Sequence, residues 1–283
     1  FAALLILAIL PLLVGLLLPA LNRARQQARL VKDGTQIQQI HKAWVAYSVE
    51  DEGRLPIPGL INRLPLAGGI NEPGRGDEDE FQNTTANLHS VMIMQNYYTP
   101  KLLIGPTEPS GIVAEDDNYN WEVYSIPEDI YWDEDFQADM TSECNTSYAS
   151  MPIFGARKTR FWRDGLSSNT PLLSNRGLPD SNYDEQFSTV FQIHGDRNSW
   201  VGNVLYSDNS IAIENNYRPE KVTYQDEDGE VFPDHLFIND TGDDPISSGR
   251  GDDAFLAITT EVESISDGAV TLCHTYDDYE ECN

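Results

Sequence analysis

The chain is short of cysteine and of positive charge, and each shortage removes a class of protein. Three cysteines in 283 residues, no two at C-x-x-C spacing, argue against a structural zinc site and against a thioredoxin-type redox pair. The core must therefore come from apolar burial, for which this length leaves ample room. Lysine and arginine number 18 against 46 aspartates and glutamates, a formal net charge of −28. Such a surface repels phosphate backbones and anionic lipid, so nucleic acid is excluded as a partner. A G-x-S-x-G turn, an H-E-x-x-H helix and a phosphate-binding glycine loop are also missing. His41, His89, His194, His235 and His274 are scattered, with no spacing that singles out a catalytic pair. The expectation is a protein that is not an enzyme.

What is present is concentrated at the start. Phe1 to Leu21 contains no charged residue, and Arg23, Arg25 and Arg29 follow it. As a helix the run would extend roughly 32 Å, enough for a ~30 Å hydrocarbon core. A secretory signal would carry its basic residues ahead of the apolar run, so that reading is disfavoured, and the missing initiator Met leads us to expect a processed start. Pro11, Gly15 and Pro19 loosen a lone helix, because each proline removes a backbone donor. In lipid the freed carbonyls need new partners, which favours a helix packed among others. Beyond Pro19 the apolar residues Leu21, Ala24, Ala28 and Val31 step by three and four. Ile37, Ile40, Trp44 and Tyr47 resume the pattern after a phase slip near Asp33–Gly34. Residues 1–60 hold six Lys/Arg and four Asp/Glu, leaving twelve and forty-two of the 18 and 46 for the remainder. The acidity belongs to the body.

GLLLPALNRARQQAR, a polar-faced helix and then YSVEDEGRLPIPG resemble the N-terminal region of type IV pilin-like proteins, the class of type IV pilins and type II secretion pseudopilins. The resemblance covers about the first sixty residues. It implies cleavage by a prepilin peptidase just before Phe1, methylation of the new amine, an inner-membrane stage, and then a helical filament cored by bundled N-terminal helices. Assembly would rest on Phe1, Leu4, Leu5, Leu7, Pro11, Gly15, Pro19, Arg23, Arg25 and Arg29. The chain departs from the family in carrying Leu5 where a glutamate normally pairs with a neighbour's amine, and its run from Phe1 to Gly15 is shorter. HGDRNSWVGNVLYSDNSI further resembles the closing hairpin of a bacterial group of pilin-like proteins with expanded heads.

The implied fold is α+β: a long kinked N-terminal helix forming a hydrophobic stem, and a single β-rich C-terminal globular domain. Residues 1–52 make the stem (1–21 hydrophobic, 22–52 amphipathic) and 53–283 the acidic head. In the head, NLHSVMIMQNYY at 87–98 reads as a short helix. WVGNVLYSDNSIAIE at 200–214 reads as a hairpin turning at Asp208–Asn209, and GAVTLCHTY at 268–276 as a strand. NYNWEVYSIPEDIYWDEDF at 118–136 reads as core strands with a wet face rather than a partner or carbohydrate surface.

Three further groups of residues are candidate sites. Asp240, Asp243, Asp244, Asp252 and Asp253 sit among glycines in NDTGDDPISSGRGDD, a pattern suited to oxygen ligation of Ca²⁺. DDNYN at 116–120 begins like an EF-hand loop but lacks the sixth-position glycine. Cys273 and Cys282 could close a short loop, with Cys144 free or paired to one of them. The glycosylation-type sequons at Asn83, Asn145 and Asn239 and the two GRGD tetrapeptides carry no function by themselves.

The functional expectation is a structural subunit of an extracellular, type IV pilus-like filament. It would be a homopolymer made at the inner membrane with its assembly machinery. The alternatives are a minor pseudopilin of a type II secretion-like machine and a membrane-anchored protein with a cytosolic body. The positive-inside tendency favours the last of these, because the arginines flank the body side of the run.

Overall fold

The computed structural model describes residues 2–61, 77–165, 167–178, 188–195, 199–225, 230–239, 254–266, 269–277 and 280–282. Side chains of residues 1–14, 16, 156, 225, 264–266, 269–271 and 280–282 lie outside that description. The chain opens with one helix, α1 (Ala2–Ser48), uninterrupted through Gly15 and Pro19. Pro19 lacks the N–H that would close on Gly15, and Gly15 has no neighbour that an added Cβ would meet.

The two halves of α1 live in different surroundings. The described side chains of residues 15–29 are all exposed, with Leu17 at 64% and Leu21 at 46%. From Asp33 onward one face is buried: Ile37, Ile40 and Trp44 are fully enclosed. Burying such side chains contributes roughly 1.5–3 kcal/mol each, so the C-terminal half is held by packing, while the described side chains of residues 15–29 are left open to solvent. Trp44 stacks at a tilt on Trp162, ring centroids 5.1 Å apart. The Trp162 indole N–H donates to the Pro56 carbonyl at 2.9 Å, pinning the segment that leaves α1.

Around this half-helix the described strands form four separate antiparallel sheets. The first pairs β1 (Ala138–Asp139) with β2 (Glu143–Cys144). The second is four-stranded, in the order β3 (Tyr148–Ser150), β4 (Pro171–Asn175), β5 (Gly202–Tyr206), β6 (Ile211–Glu214). The third pairs β7 (Thr223–Gln225) with β8 (Val231–Pro233). The last is three-stranded, with β10 (Ala269–Thr275) between β9 (Ile258–Ser266) and β11 (Glu280–Cys282). Ser150 and Ala257 exchange backbone hydrogen bonds at 3.0 Å in both directions, joining the free edge of β3 to the start of β9.

This overturns the expected fold class. In place of one β-rich domain on a kinked hydrophobic stem, the chain is a mixed α/β assembly of small sheets. Among the described residues no helix is long and apolar enough to cross a membrane. The physical reason for the small sheets is strand length: prolines, glycines and 3₁₀ turns interrupt the chain every few residues, and all but two of the described strands have five residues or fewer. Short strands cannot share one continuous ladder, so the core is divided among several surfaces.

Several local expectations agree with the structure. The hairpin at 200–214 forms as β5 and β6, with Leu205 opposite Ile211 and Asn209 in the left-handed region at φ 62, where asparagine is tolerated. The helix expected at 87–98 is α2 (Thr85–Met94), capped by the Thr84 hydroxyl accepting from Asn87 N–H. It ends early because Asn96 turns left-handed at φ 61. The aromatic segment 118–136 contains no strand. It runs as 3₁₀ turns that bury Tyr119, Tyr131, Trp132 and Phe136 and leave Trp121 and Tyr124 outside.

Candidate functional site: the junction of helix and head

α1 meets the head at a buried carboxylate that no sequence motif announces. Asp33, fully enclosed, accepts from the Tyr148 hydroxyl at 2.9 Å, from His194 Nε2–H at 3.0 Å and from Asn203 Nδ2 at 2.8 Å. These donors come from β3, from the loop after the 3₁₀ turn Thr189–Gln192, and from β5. Asn203 Nδ2 also donates to the Leu30 carbonyl at 3.0 Å, so one side chain grips both a backbone and a side-chain acceptor of the helix. Burial first, and the neighbouring Asp33 second, push the Tyr148 hydroxyl well above the usual tyrosine range, so it stays a donor.

Two glycines make the approach close enough. An added Cβ on Gly34 would stand 3.0 Å from both Asn203 Oδ1 and Ile211 Cδ1, and one on Gly105 would stand 3.2 Å from Asp33 Oδ1. The phase slip noted at Asp33–Gly34 is therefore the point where the helix changes from an exposed rod to a packed element. Further along, Gln36 Nε2 donates to the carbonyls of Leu102 and Ile104. Gln38 Nε2 donates to Asn209 O at the tip of the hairpin, beside the contact of His41 Nδ1 with Asn209 Oδ1 at 3.0 Å.

His194 continues the network outward: its Nδ1 lies 3.3 Å from Thr107 Oγ1. With Nε2 facing Asp33, Nδ1 is the ring atom turned to the threonine hydroxyl. Hydroxyl, imidazole and carboxylate thus stand in the order that nucleophilic catalysis uses. However, Asp33 divides its oxygens among three donors from separate head elements, which is the arrangement of a clasp. Thr107 and His194 border a cavity of about 270 Å³ shared with Gln26, Gln27, Arg29 and Gln192.

A second buried charge centre stiffens the head behind this junction. Arg176, 1% exposed, is paired with Glu108 and Asp277 and donates to Thr189 Oγ1 and to the Tyr276 carbonyl. Burial opposes its charge, but Glu108 and Asp277 outweigh that cost and raise its pKa further. Asp277 also accepts from Thr189 N–H at 2.8 Å, which fixes the turn leading to His194.

The sequence-derived site residues fall in three groups. Gly15, Pro19, Arg23, Arg25 and Arg29 lie on the exposed half of α1. Phe1 is outside the described residues, and Leu4, Leu5, Leu7 and Pro11 are described only as backbone of α1. Asp240, Asp243, Asp244, Asp252 and Asp253 are outside the described residues, so the Ca²⁺ candidate falls there. Among the described residues no group of three His, Cys, Asp or Glu could hold a metal ion. In the EF-hand-like stretch, Asp116 Oδ1 instead accepts from Asn118 N–H, closing a local turn. Asn83 and Asn145 are buried and hydrogen-bonded, which leaves no room for a glycan on either in the folded head.

Cys273 is disulfide-bonded and Cys144 is free and buried. Cys273 lies opposite Cys282 in the ladder of β10 and β11, and the side chain of Cys282 is outside the described residues. Asp33, Tyr148, His194 and Asn203 were missed in the sequence because nothing marks a lone aspartate in a helix as a hub. The one signal was its coincidence with the slip in apolar phase. The chain matches no known family, no curated protein and no solved structure.

Proposed function

We propose that this protein is the subunit of a helical, type IV pilus-like filament, polymerising through its N-terminal helix and displaying the acidic head. The observation that carries the reading is the division of α1. Residues 33–48 are clasped in the head, while Leu17, Leu18 and Leu21 stand exposed on a continuation of the same rigid helix. Each leucine would contribute roughly 1.5–3 kcal/mol on full burial against neighbouring helices, a gain the isolated chain cannot make. The resemblance of residues 1–60 to pilin-like proteins supplies the same expectation from sequence.

Charge supports the packing direction. Arg23, Arg25, Arg29 and Lys32 are exposed on α1 with no acidic residue among positions 1–32. The rest of the chain carries the acid excess, so a neighbour's head offers the complementary surface. In this reading the clasp at Asp33 transmits load between head and filament core. The unassembled chain would be an inner-membrane protein handled by a prepilin peptidase and an assembly machine, and the assembled one extracellular. A membrane stage would depend on residues 1–14, whose side chains are outside the described structure.

The test is electron cryo-microscopy of material sheared from cells, with mass spectrometry of the N-terminal peptide. Filaments cored by bundled helices and a methylated Phe1 are expected. Replacing Leu17, Leu18 and Leu21 by serine should abolish polymer while leaving thermal unfolding of the head unchanged. A chain that stays unassembled in the wild type, or filaments that survive the triple replacement, would defeat the reading.

A further inference from the structure

The head carries an aromatic platform on the face made by the end of α2 and the turn at Trp121–Val123. Trp121 is 46% exposed and Tyr124 45% exposed. Together with Ile61, Met94, Gln95 and Asn96 they line an open groove of about 380 Å³. Both rings are fixed from behind. The Trp121 indole N–H donates to the Ile93 carbonyl at 3.3 Å, and its ring stands edge-on to buried Tyr119 at 4.8 Å between centroids. Tyr124 packs edge-on against buried Tyr131 at 6.1 Å. The indole's polar atom is thus spent inward, leaving its exposed part purely apolar.

The polar groups at the groove are uncommitted. Among the described residues the Gln95 and Asn96 amides and the Tyr124 hydroxyl have no side-chain hydrogen-bond partner, although an amide offers two donors and an acceptor. Asn96 is held in the left-handed conformation at φ 61, and Gln95 is the C-cap of α2, so both are presented from fixed backbone. A rigid aromatic face bordered by amides and a hydroxyl matches a ligand that is flat and apolar on one side and hydroxyl-rich at its rim. A pyranose ring of a β-linked polysaccharide has that chemistry. Exposed Glu122, Glu128 and Asp129 flank the platform in sequence, so anionic polymers are repelled, whereas neutral and amino sugars are accepted.

We infer that this face is a binding site for non-anionic, β-linked polysaccharide, with Trp121 as the stacking anchor and Gln95, Asn96 and Tyr124 as its hydrogen-bonding rim. The inference does not depend on filament assembly, because the platform lies wholly within the head.

Intrinsic fluorescence reads the site directly. Trp44, Trp132, Trp162 and Trp200 are all buried, so a ligand-induced change reports Trp121. The full chain would be titrated with cellotetraose, with the tetramers of N-acetylglucosamine and glucosamine, and with tetragalacturonate. Saturable changes with at least one of the first three, and none with the anionic tetramer, are expected. Preference for the glucosamine tetramer would identify an amino-sugar source, and equal response to cellotetraose a neutral one. Trp121→Ala, which removes the fluorescent reporter and is therefore titrated by isothermal calorimetry beside the wild type, should weaken binding by at least about tenfold, as loss of a central aromatic anchor does. Gln95→Ala, an exposed change that leaves the fold alone, should weaken it severalfold. No response to any tetramer, equal binding of tetragalacturonate, or unchanged affinity in both variants would overturn the inference.

Discussion

Asp33→Ala tests the clasp most directly, and its cost can be worked from the contacts. The change leaves Tyr148 Oη–H and His194 Nε2–H without their acceptor, while Asn203 Nδ2 keeps the Leu30 carbonyl. A buried donor left unpaired costs about 1–3 kcal/mol. Two orphaned donors with part of a third give a loss on the order of 3–5 kcal/mol, a large share of a total stability of about 5–15 kcal/mol. At about 2–4 °C per kcal/mol for a chain near this size, the melting temperature should fall on the order of 10 °C. The assay is thermal and urea unfolding of wild type, Asp33→Ala, Tyr148→Phe and the double variant. Because both residues share one hydrogen bond, the double should cost less than the sum, with a coupling of about 0.5 kcal/mol or more. A loss below about 1 kcal/mol in Asp33→Ala, or strict additivity in the cycle, would refute the clasp.

Four other outcomes follow. Burial pushes the pKa of His89 and of His274 from 6.5 down to about 3. The unfolded chain therefore takes up protons that the folded one refuses. The stability these groups hold above pH 6.5 drains as pH falls toward about 3, at about 1.4 kcal/mol per pH unit for each. His89→Gln should flatten the decline of the urea midpoint between pH 6.5 and 5, and an unaltered slope would count against it. Arg176→Ala should cost about 3–5 kcal/mol by stranding Glu108 and Asp277, read as a lowered urea midpoint; a change under about 1 kcal/mol would show the network to be dispensable. Burial pushes the Cys144 thiol up to about 12, so it should resist alkylation at pH 8 until the chain unfolds. Non-reducing peptide mapping of the same sample should find Cys273 joined to Cys282, and a peptide linking Cys144 would reject that pairing.

How much of this was legible beforehand varies by element. The β5–β6 hairpin was readable because its strands and its Asp208–Asn209 turn are local features, adjacent in sequence. α2 was placed within a few residues, its end displaced by the left-handed turn at Asn96, which propensity does not reveal. The aromatic segment 118–136 reads as strand in the sequence and folds as 3₁₀ turns. Alternating aromatics and acids satisfy a two-residue period equally well when a series of 3₁₀ turns sends Trp121 outward and Trp132 inward. The single β-rich domain failed because sheet membership depends on partners far away in sequence, as when Ser150 pairs with Ala257.

By itself, then, the sequence determined the long N-terminal helix, the contrast between its uncharged start and basic collar, the acidity of the head and the local hairpin. All of these depend on composition or on neighbours a few residues apart. Only the tertiary structure decided where the helix stops being a rod and becomes part of a core, because Asp33 finds Tyr148, His194 and Asn203 across separations of 115 to 170 residues. The same folding turned Trp121 and Tyr124 to solvent while burying their aromatic neighbours. Hydrogen-bond geometry and exposure are properties of the assembled neighbourhood, and no local pattern encodes them.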